Sequence, residues 1–287
     1  MGKKLKFLIF GIGGLLALVG ILDFLAGTTG NLASLSKGLN PDSDKESQGW
    51  IYSFYQDSDL DGLSNAKEVI YGTNPLKADT DGDSYLDGEE VEKGYDPLIA
   101  GGARLEERKG LSLTLRYFLW ARKEKGRADP NIEEALVEEF LEKEKIASVS
   151  KVGDDKIIIS PEADREAIRA YLNQVNKIGL PEGIAGYETL AKNYTQESEA
   201  LLNDLLNQIE LAYLDFKKIK TPKEALEIQR DYLTVVKEFY NIFENLKAWE
   251  GDPVQIKANV KKAQELIQLA REAERLKMEL IKKYDIS

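Results

Sequence analysis

The sequence predicts a mainly all-α protein in which helical segments flank an acidic stretch with little regular structure. Three observations predict this fold class. A continuous apolar stretch near the N-terminus has the length of a membrane helix. An acidic repeat follows that leaves room only for very short helices. The C-terminal half carries apolar residues at alternating spacings of three and four, which is typical of packed amphipathic helices.

The apolar stretch covers residues 7–26 and contains a single charge, Asp23. Twenty helical residues just cross a hydrocarbon core of about 30 Å. The lysines of the preceding stub, residues 1–6, are expected to stay in the cytoplasm, which sends the rest of the chain outside. Two alternatives remain open: a retained single-pass anchor, or a cleaved secretion signal that leaves a secreted protein. Residues 27–49 are polar and rich in Gly and Ser, which indicates a flexible linker.

Composition excludes several kinds of chemistry. The chain has no Cys and no His, which excludes disulfides, thiol nucleophiles, imidazole bases and the usual zinc sites. The net charge is −11, and residues 50–98, with twelve acidic residues and three lysines, account for −9 of it. Phosphate backbones are bound by basic patches, so this charge argues against nucleic acid as a partner. The acidity is local and needs a local explanation.

Residues 50–98 contain an internal repeat with an offset of 22 residues. In each copy, side-chain oxygens stand at loop positions 1, 3, 5, 9 and 12, and position 7 offers a backbone carbonyl. This is the pattern by which loops surround Ca²⁺, a hard cation that takes six to eight oxygen ligands. We therefore predict about two bound Ca²⁺ ions. The predicted ligands of the first loop are Asp57, Asp59, Asp61, Leu63, Asn65 and Glu68, and those of the second are Asp79, Asp81, Asp83, Tyr85, Asp87 and Glu90.

Position 6 of such a loop favours glycine because its backbone is left-handed. The first loop has Gly62 there, whereas the second has Ser84. A non-glycine residue in this conformation costs roughly 1–2 kcal/mol. We therefore expect a distorted but functional second site.

The stretch from Asp57 to Pro97 resembles the thrombospondin type 3 repeat of bacterial surface proteins. It shares the pattern D-x-D-x-D-G-L-x-x-x-x-E, a short helix, G-T-x-P and D-T-D-G-D. The resemblance implies structure that calcium stabilises, little conventional core and an extracellular setting. A dockerin-like assembly module also carries two calcium loops, but each is followed by a longer helix.

The remainder of the chain is predicted to be helical. Residues 99–103 form a hinge, and residues 104–287 form a helical domain that ends in an antiparallel three-helix bundle at 196–284. Shorter helices are expected near 112–125, 131–147 and 162–178. For residues 156–160 an extended piece and a non-extended one are equally consistent with the sequence.

Four helix starts are predicted where a capping residue precedes proline. They are Asp129-Pro130, Ser160-Pro161, Thr221-Pro222 and Asp252-Pro253. Two further patterns in the predicted helices favour a structural role over a catalytic one. Carboxylate pairs such as Glu133 and Glu134 are typical of a solvated helix face, and the aromatic residues Tyr117, Phe118 and Trp120 are typical of core.

These observations favour a non-enzymatic, calcium-binding protein of the cell surface, anchored in the membrane by residues 7–26. Its repeats would act as a spacer that presents a helical interaction domain to a protein or cell-surface partner, as in adhesion or association with the envelope or a surface appendage. The first alternative is an envelope enzyme that uses carboxylates, with the calcium repeats as an accessory. The others are a dockerin-like assembly module and a calcium-responsive regulator.

Overall fold

The computed structural model describes residues 56–126, 133–178, 196–247 and 252–286. They divide into two compact units. The repeat unit comprises residues 56–126, 133–145 and 252–257, and the helical unit comprises residues 146–178, 196–247 and 258–286. The repeat unit thus joins the acidic loops to helices from the start of the predicted helical domain.

The predicted stub, membrane segment and linker, residues 1–49, lie outside the described residues and stay predictions. Within the four described ranges, no helix combines the length and the apolar character needed to cross a membrane.

Four helices belong wholly to the repeat unit. Two short ones, α1 (Asn65–Tyr71) and α2 (Asp87–Lys93), follow the acidic loops, and two longer ones follow, α3 (Leu113–Lys125) and α4 (Glu134–Lys143). The short helices end at Gly72 and Gly94, whose φ angles of 83° and 82° are left-handed. Glycine adopts this helix-ending conformation without steric cost.

An aromatic cluster forms the core between α3 and α4. The Tyr117 side chain is completely buried, and its ring centroid lies 5.7 Å from that of Phe140. The ring of Trp120 lies 5.5 Å from the same Phe140 ring, and Phe118 lies 6.3 Å from Tyr71 of α1. The prediction that the α3 aromatics are core residues is confirmed.

The helical unit contains α5 (Arg165–Val175), α6 (Gln196–Lys218), α7 (Leu226–Lys247) and α8 (Pro253–Lys283) from residue 258 onward. The predominantly helical character predicted for this region is confirmed, and α6 and α7 pack on each other. The antiparallel order of the three long helices stays a prediction.

Two short strands also lie in this unit. Strand β1 (Ile158–Ser160) pairs in parallel with β2 (Lys220–Pro222). The pairing answers the open question in favour of an extended piece for residues 158–160, whereas Lys156 ends a 3₁₀ turn.

Two of the four predicted helix starts are wrong. Ser160 ends β1, and α5 begins after Asp164, whose side chain accepts the Ala167 N–H at 2.8 Å. Thr221 and Pro222 belong to β2, and α7 begins only at residue 226, after a 3₁₀ turn. Proline fixes φ near −65°, a value that an extended segment also accepts at the edge of a sheet.

The helix start at Asp252-Pro253 is confirmed. Helix α8 begins at Pro253, and the Asp252 carboxylate accepts the N–H of Gln255 at 2.9 Å. The same carboxylate accepts the N–H of Leu113 and the hydroxyl of Thr114, at 2.5 and 2.6 Å, at the start of α3. The start at Asp129-Pro130 lies outside the described residues.

Candidate metal centre

The first acidic loop is folded around the carboxylate at its position 1. Asp57 accepts the N–H of Leu60 at 2.7 Å and of Asp61 at 3.2 Å through Oδ1, and that of Gly62 at 3.0 Å through Oδ2. At position 5, Asp61 accepts the N–H of Leu63 at 2.6 Å. Short-range bonds from aspartate to backbone favour tight turns, so alternate aspartates impose the curvature of the loop.

The second loop repeats these bonds. Asp79 accepts the N–H of Gly82 at 2.7 Å, of Asp83 at 3.2 Å and of Ser84 at 2.9 Å, and Asp83 accepts that of Tyr85 at 3.1 Å. These donors, that of Ser84 foremost, lower the pKa of the Asp79 carboxyl below its ordinary value. The hydrogen bonds of the loops therefore repeat with the same offset of 22 residues as the sequence.

The expected distortion at Ser84 is absent from the backbone of the second loop. Position 6 is left-handed in both loops, with φ of 100° at Gly62 and 80° at Ser84. Position 4 is left-handed as well, with φ of 64° at Leu60 and 85° at Gly82. Each loop thus has one glycine and one side-chain residue at its two left-handed positions, and the steric cost is divided equally between the loops.

The position-9 residues close the loops on themselves. Asn65 accepts the N–H of Ser58 at 3.2 Å and donates to its hydroxyl at 2.8 Å. Asp87 accepts the N–H of Thr80 at 2.8 Å and its hydroxyl at 2.6 Å. The sequence predicted ligands at position 9 and gave no role to position 2, where Ser and Thr supply these donors.

Positions 3 and 12 carry carboxylate oxygens without donors. Among the described residues of the loops, the buried side-chain oxygens that lack a hydrogen-bond partner are both oxygens of Asp59 and one each of Glu68, Asp81 and Glu90. The Glu68 side chain is fully buried, and Glu90 is 4% exposed. Unpaired buried carboxylates are costly, so their presence at the same two positions of each loop fits an oxygen-binding cation.

Burial and mutual repulsion raise the pKa of these carboxyls. Burial is the main cause for Glu68, followed by the charges of Asp59 and Asp61, and brings its pKa to about 7. Glu90 also reaches a pKa of about 7, through burial and then the charge of Asp81. Burial raises the pKa of Asp59 and Asp81 as well.

We expect pH to act in opposite directions with and without calcium. Without calcium, the folded repeats hold more protons than unfolded chain between about pH 4.5 and 7, so their stability is lost as pH rises through 7. With calcium, protons compete for the same oxygens, so affinity falls as pH drops below 7. Calcium titrations and limited proteolysis at about pH 6 and pH 8 measure both trends. Equal affinity at the two pH values would contradict direct binding of calcium by the Glu68 and Glu90 carboxylates.

The predicted ligands gather into three groups of carboxylates. Within each group one oxygen per residue lies within 4.8 Å of the others. The groups are Asp57, Asp59 and Asp61; Asp79, Asp81 and Asp83; and Asp61, Glu68 and Asp87. The third group joins the two loops. For position 7, Leu63 is buried and Tyr85 is 58% exposed, and ligation through their carbonyls stays a prediction.

Gly88 allows the two loops to touch. Its N–H donates to Asp61 Oδ2 at 3.1 Å, and a Cβ built on it would lie 2.2 Å from the Asp61 carbonyl oxygen. The first repeat has Ala66 at the matching position 10. The glycine at position 10 of the second repeat, where the first has alanine, is the difference in sequence that the contact explains.

We expect Gly88→Ala to loosen the first loop from the second. Alanine favours a helix over glycine by about 0.5–1 kcal/mol, so propensity alone predicts stabilisation of α2. The clash predicts the opposite, since overpacking costs about 1–3 kcal/mol. Calcium-saturated thermal unfolding decides between them, with Glu89→Ala on the same helix as the control. A higher unfolding temperature for Gly88→Ala would rule out the close contact.

Two arginines tie the repeats to the residues that follow. Arg108 donates to both carboxylate oxygens of the fully buried Asp96, through Nε at 2.7 Å and through Nη2, and to the Tyr71 carbonyl at 2.7 Å. Arg122 of α3 donates to the carbonyls of Val91, at 2.6 Å, and Glu92 at the end of α2.

The predicted hinge, residues 99–103, lies inside the repeat unit. Gly101 donates to Asp83 Oδ2 at 3.0 Å, as Gly88 does to Asp61. The backbone on either side is joined by a bridge between Tyr95 and Arg104.

Comparison with known families agrees with this geometry. Residues 57–78 and 79–100 each match the family described as Bacterial TSP3 repeat. Comparison with curated proteins and with solved structures found no match. Repeats of this family bind calcium, and the acidic groups described above are arranged to hold a metal ion. Residues 57–100 of this chain are therefore two bacterial thrombospondin type 3 repeats.

Proposed function

We propose that the chain is a membrane-anchored, extracytoplasmic calcium-binding protein in which two calcium-stabilised repeats form a spacer. The spacer presents the helical part of the chain to a protein or cell-surface partner. The observation that carries the proposal is the pairing of two equivalent loops in which carboxylate oxygens at positions 3 and 12 are buried and lack hydrogen-bond donors. The apolar segment at residues 7–26 supports the anchor.

One Ca²⁺ ion per loop is the simplest occupancy of the two equivalent sites. The residues that would hold the ions are Asp57, Asp59, Asp61, Asn65 and Glu68 with the Leu63 carbonyl, and Asp79, Asp81, Asp83, Asp87 and Glu90 with the Tyr85 carbonyl. Bound calcium supplies positive charge that offsets the repulsion among these carboxylates. The chain's own aspartates shape the turns, and the position-9 residues hold each loop closed.

The spacer role is supported by the way in which the repeats are fixed. Arg108 and Arg122 bond to the ends of both short helices, and Tyr71 packs on Phe118 of α3. Such contacts hold the repeats at a fixed angle to α3 once the loops are ordered. A fixed angle is useful in a spacer because it limits the directions in which the attached helices point.

A non-catalytic role is part of the proposal. The chain lacks Cys and His, and the predicted carboxylate pair at the start of α4 faces solvent. Within that pair, Glu134 forms an ion pair with Lys257 at 2.7 Å, which lowers the pKa of Glu134. A general acid at neutral pH needs the opposite shift.

The sharpest test compares two neighbouring glutamates of α2. Glu90→Gln removes one charged oxygen from the second loop, and we expect calcium affinity there to fall by about tenfold or more, equal to about 1.4 kcal/mol. Glu89→Gln is the matched control, since Glu89 is half-exposed and pairs with Lys93. Isothermal titration of the full chain measures both. Equal affinities for the two variants would show that Glu90 is no ligand.

A further inference from the structure

A basic cleft lies in the repeat unit, at the C-terminal end of α2. Its volume is about 710 Å³, within the range of roughly 300–1,000 Å³ that is usual for ligand clefts. Six cationic residues line it: Lys93, Arg104, Arg116, Arg122, Lys123 and Lys143. Three acidic residues share the lining, Glu106, Glu124 and Glu144. The lining therefore carries a net charge of +3 on a chain whose net charge is −11.

Two of the guanidinium groups, those of Arg104 and Arg122, bond to backbone carbonyls. Arg104 donates to the Lys93 carbonyl at 3.1 Å, and Arg122 donates to carbonyls of the same last turn of α2. These bonds cap a helix C-terminus, whose partial negative charge is small. In the part of the chain that the structure describes, neither group forms a salt bridge with a carboxylate. Each has five N–H donors in a planar fork, so donors remain for a carboxylate ligand.

Other cations of the cleft are exposed. Arg116 lies 3.8 Å from Glu144, and the two side chains are 46% and 41% exposed, so this ion pair is weak. Lys123 is exposed on the next turns of α3. A ligand carboxylate can therefore reach both side chains without breaking a buried pair.

We propose that this cleft binds an acidic segment of a protein partner. The charge excess attracts carboxylates, and the three interspersed glutamates disfavour a uniformly charged polymer such as polyphosphate or sulfated glycan. A peptide can place acidic residues opposite the arginines and neutral or basic residues opposite the glutamates. The cleft is thus the surface by which the repeat unit holds its partner.

We expect calcium to affect this binding indirectly, by ordering one wall of the cleft. Lys93 and Gly94 form one wall, and they end the helix that contains Glu90, the position-12 residue of the second loop. Calcium that orders this loop also fixes that wall, without itself touching the partner. This dependence on calcium rests on the proposed function, whereas the choice of an acidic ligand rests on the lining alone.

The test uses the full chain with millimolar calcium in about 0.15 M salt, and a labelled short peptide of alternating glutamate and serine as the probe. We expect saturable binding by fluorescence anisotropy, and a loss of about tenfold in affinity for Arg116→Gln combined with Lys123→Gln. The control is Lys223→Gln with Lys282→Gln, two exposed lysines of the helical unit. It removes the same charge and is expected to keep the native affinity.

Three results would overturn the proposal: no saturable binding to the native chain, equal losses in the two double variants, or binding of pyrophosphate or a sulfated oligosaccharide as tight as that of the peptide. A separate experiment tests the role of calcium, whose chelation is expected to abolish peptide binding. Peptide binding that persists after chelation would refute the proposal that calcium orders the wall of the cleft. A chain that binds the peptide but takes up no calcium in titration would refute the proposed function and leave the acidic ligand standing.

Discussion

Removal of calcium is expected to unfold residues 57–100 while the helical unit stays folded. Within the described residues of the repeats, the large apolar side chains that are buried are Leu63, Tyr71 and Val91. Three such side chains do not offset the conformational entropy of ordering two repeats, at about 1–2 kcal/mol per residue. A ligand at 10 times its dissociation constant adds about 1.4 kcal/mol per site. Extracellular calcium modules bind at roughly 10⁻⁴–10⁻³ M, so millimolar calcium decides the state of the repeats.

Hydrogen exchange on the full chain measures this directly. With a chelator, amide protection is expected to vanish across both loops and in α1 and α2, and to persist in α6 and α7, which pack on each other in the helical unit. Magnesium at the same concentration serves as the control, since it demands a rigid octahedral site and keeps its waters. Loops that stay protected after chelation would mean that calcium is not what holds them.

Arg108→Met is expected to be among the most destabilising single substitutions in the repeat unit. It leaves the Asp96 carboxylate buried without its guanidinium partner, and breaking a buried ion pair costs about 3–5 kcal/mol. It also removes the donor to the Tyr71 carbonyl. Thermal unfolding in saturating calcium measures the loss, with Lys109→Met, an exposed lysine next to it in the chain, as the control.

A second substitution separates the charge from the packing. The first repeat has Asn74 where the second has Asp96, and both side chains accept the N–H two residues later, at 3.1 Å in each case. Asp96→Asn added to Arg108→Met keeps this turn and removes the stranded charge. We expect it to restore part of the lost stability. A double variant no more stable than the single one would show that the ion pair is not the cause.

The repeat could be predicted from sequence because its signals are local. Asp57 and Asp79 fold their loops through donors no more than five residues away, so the spacing of the aspartates contains the geometry. The expectation of distortion at Ser84 took no account of Leu60 in the first loop. Leu60 occupies a left-handed position in the other loop, and the two loops divide the same steric cost between positions 4 and 6.

The contacts between the repeats and their surroundings were not predictable in the same way. Arg108 reaches Tyr71 across 37 residues, and Gly88 meets Asp61 across 27. In a sequence, these residues look like an exposed arginine and an ordinary helix glycine. The parallel pairing of Ile158 with Lys220 is equally remote, and it explains why Thr221-Pro222 ended a strand where a helix start was predicted.

The most direct test of the central claim is the number of calcium ions that the full chain binds. Equilibrium dialysis against millimolar calcium with excess magnesium is expected to give two ions per chain, and one for Asp81→Asn combined with Glu90→Gln. An uptake of two ions that the double variant leaves unchanged, or no uptake at all, would contradict the assignment of the paired loops as the calcium sites.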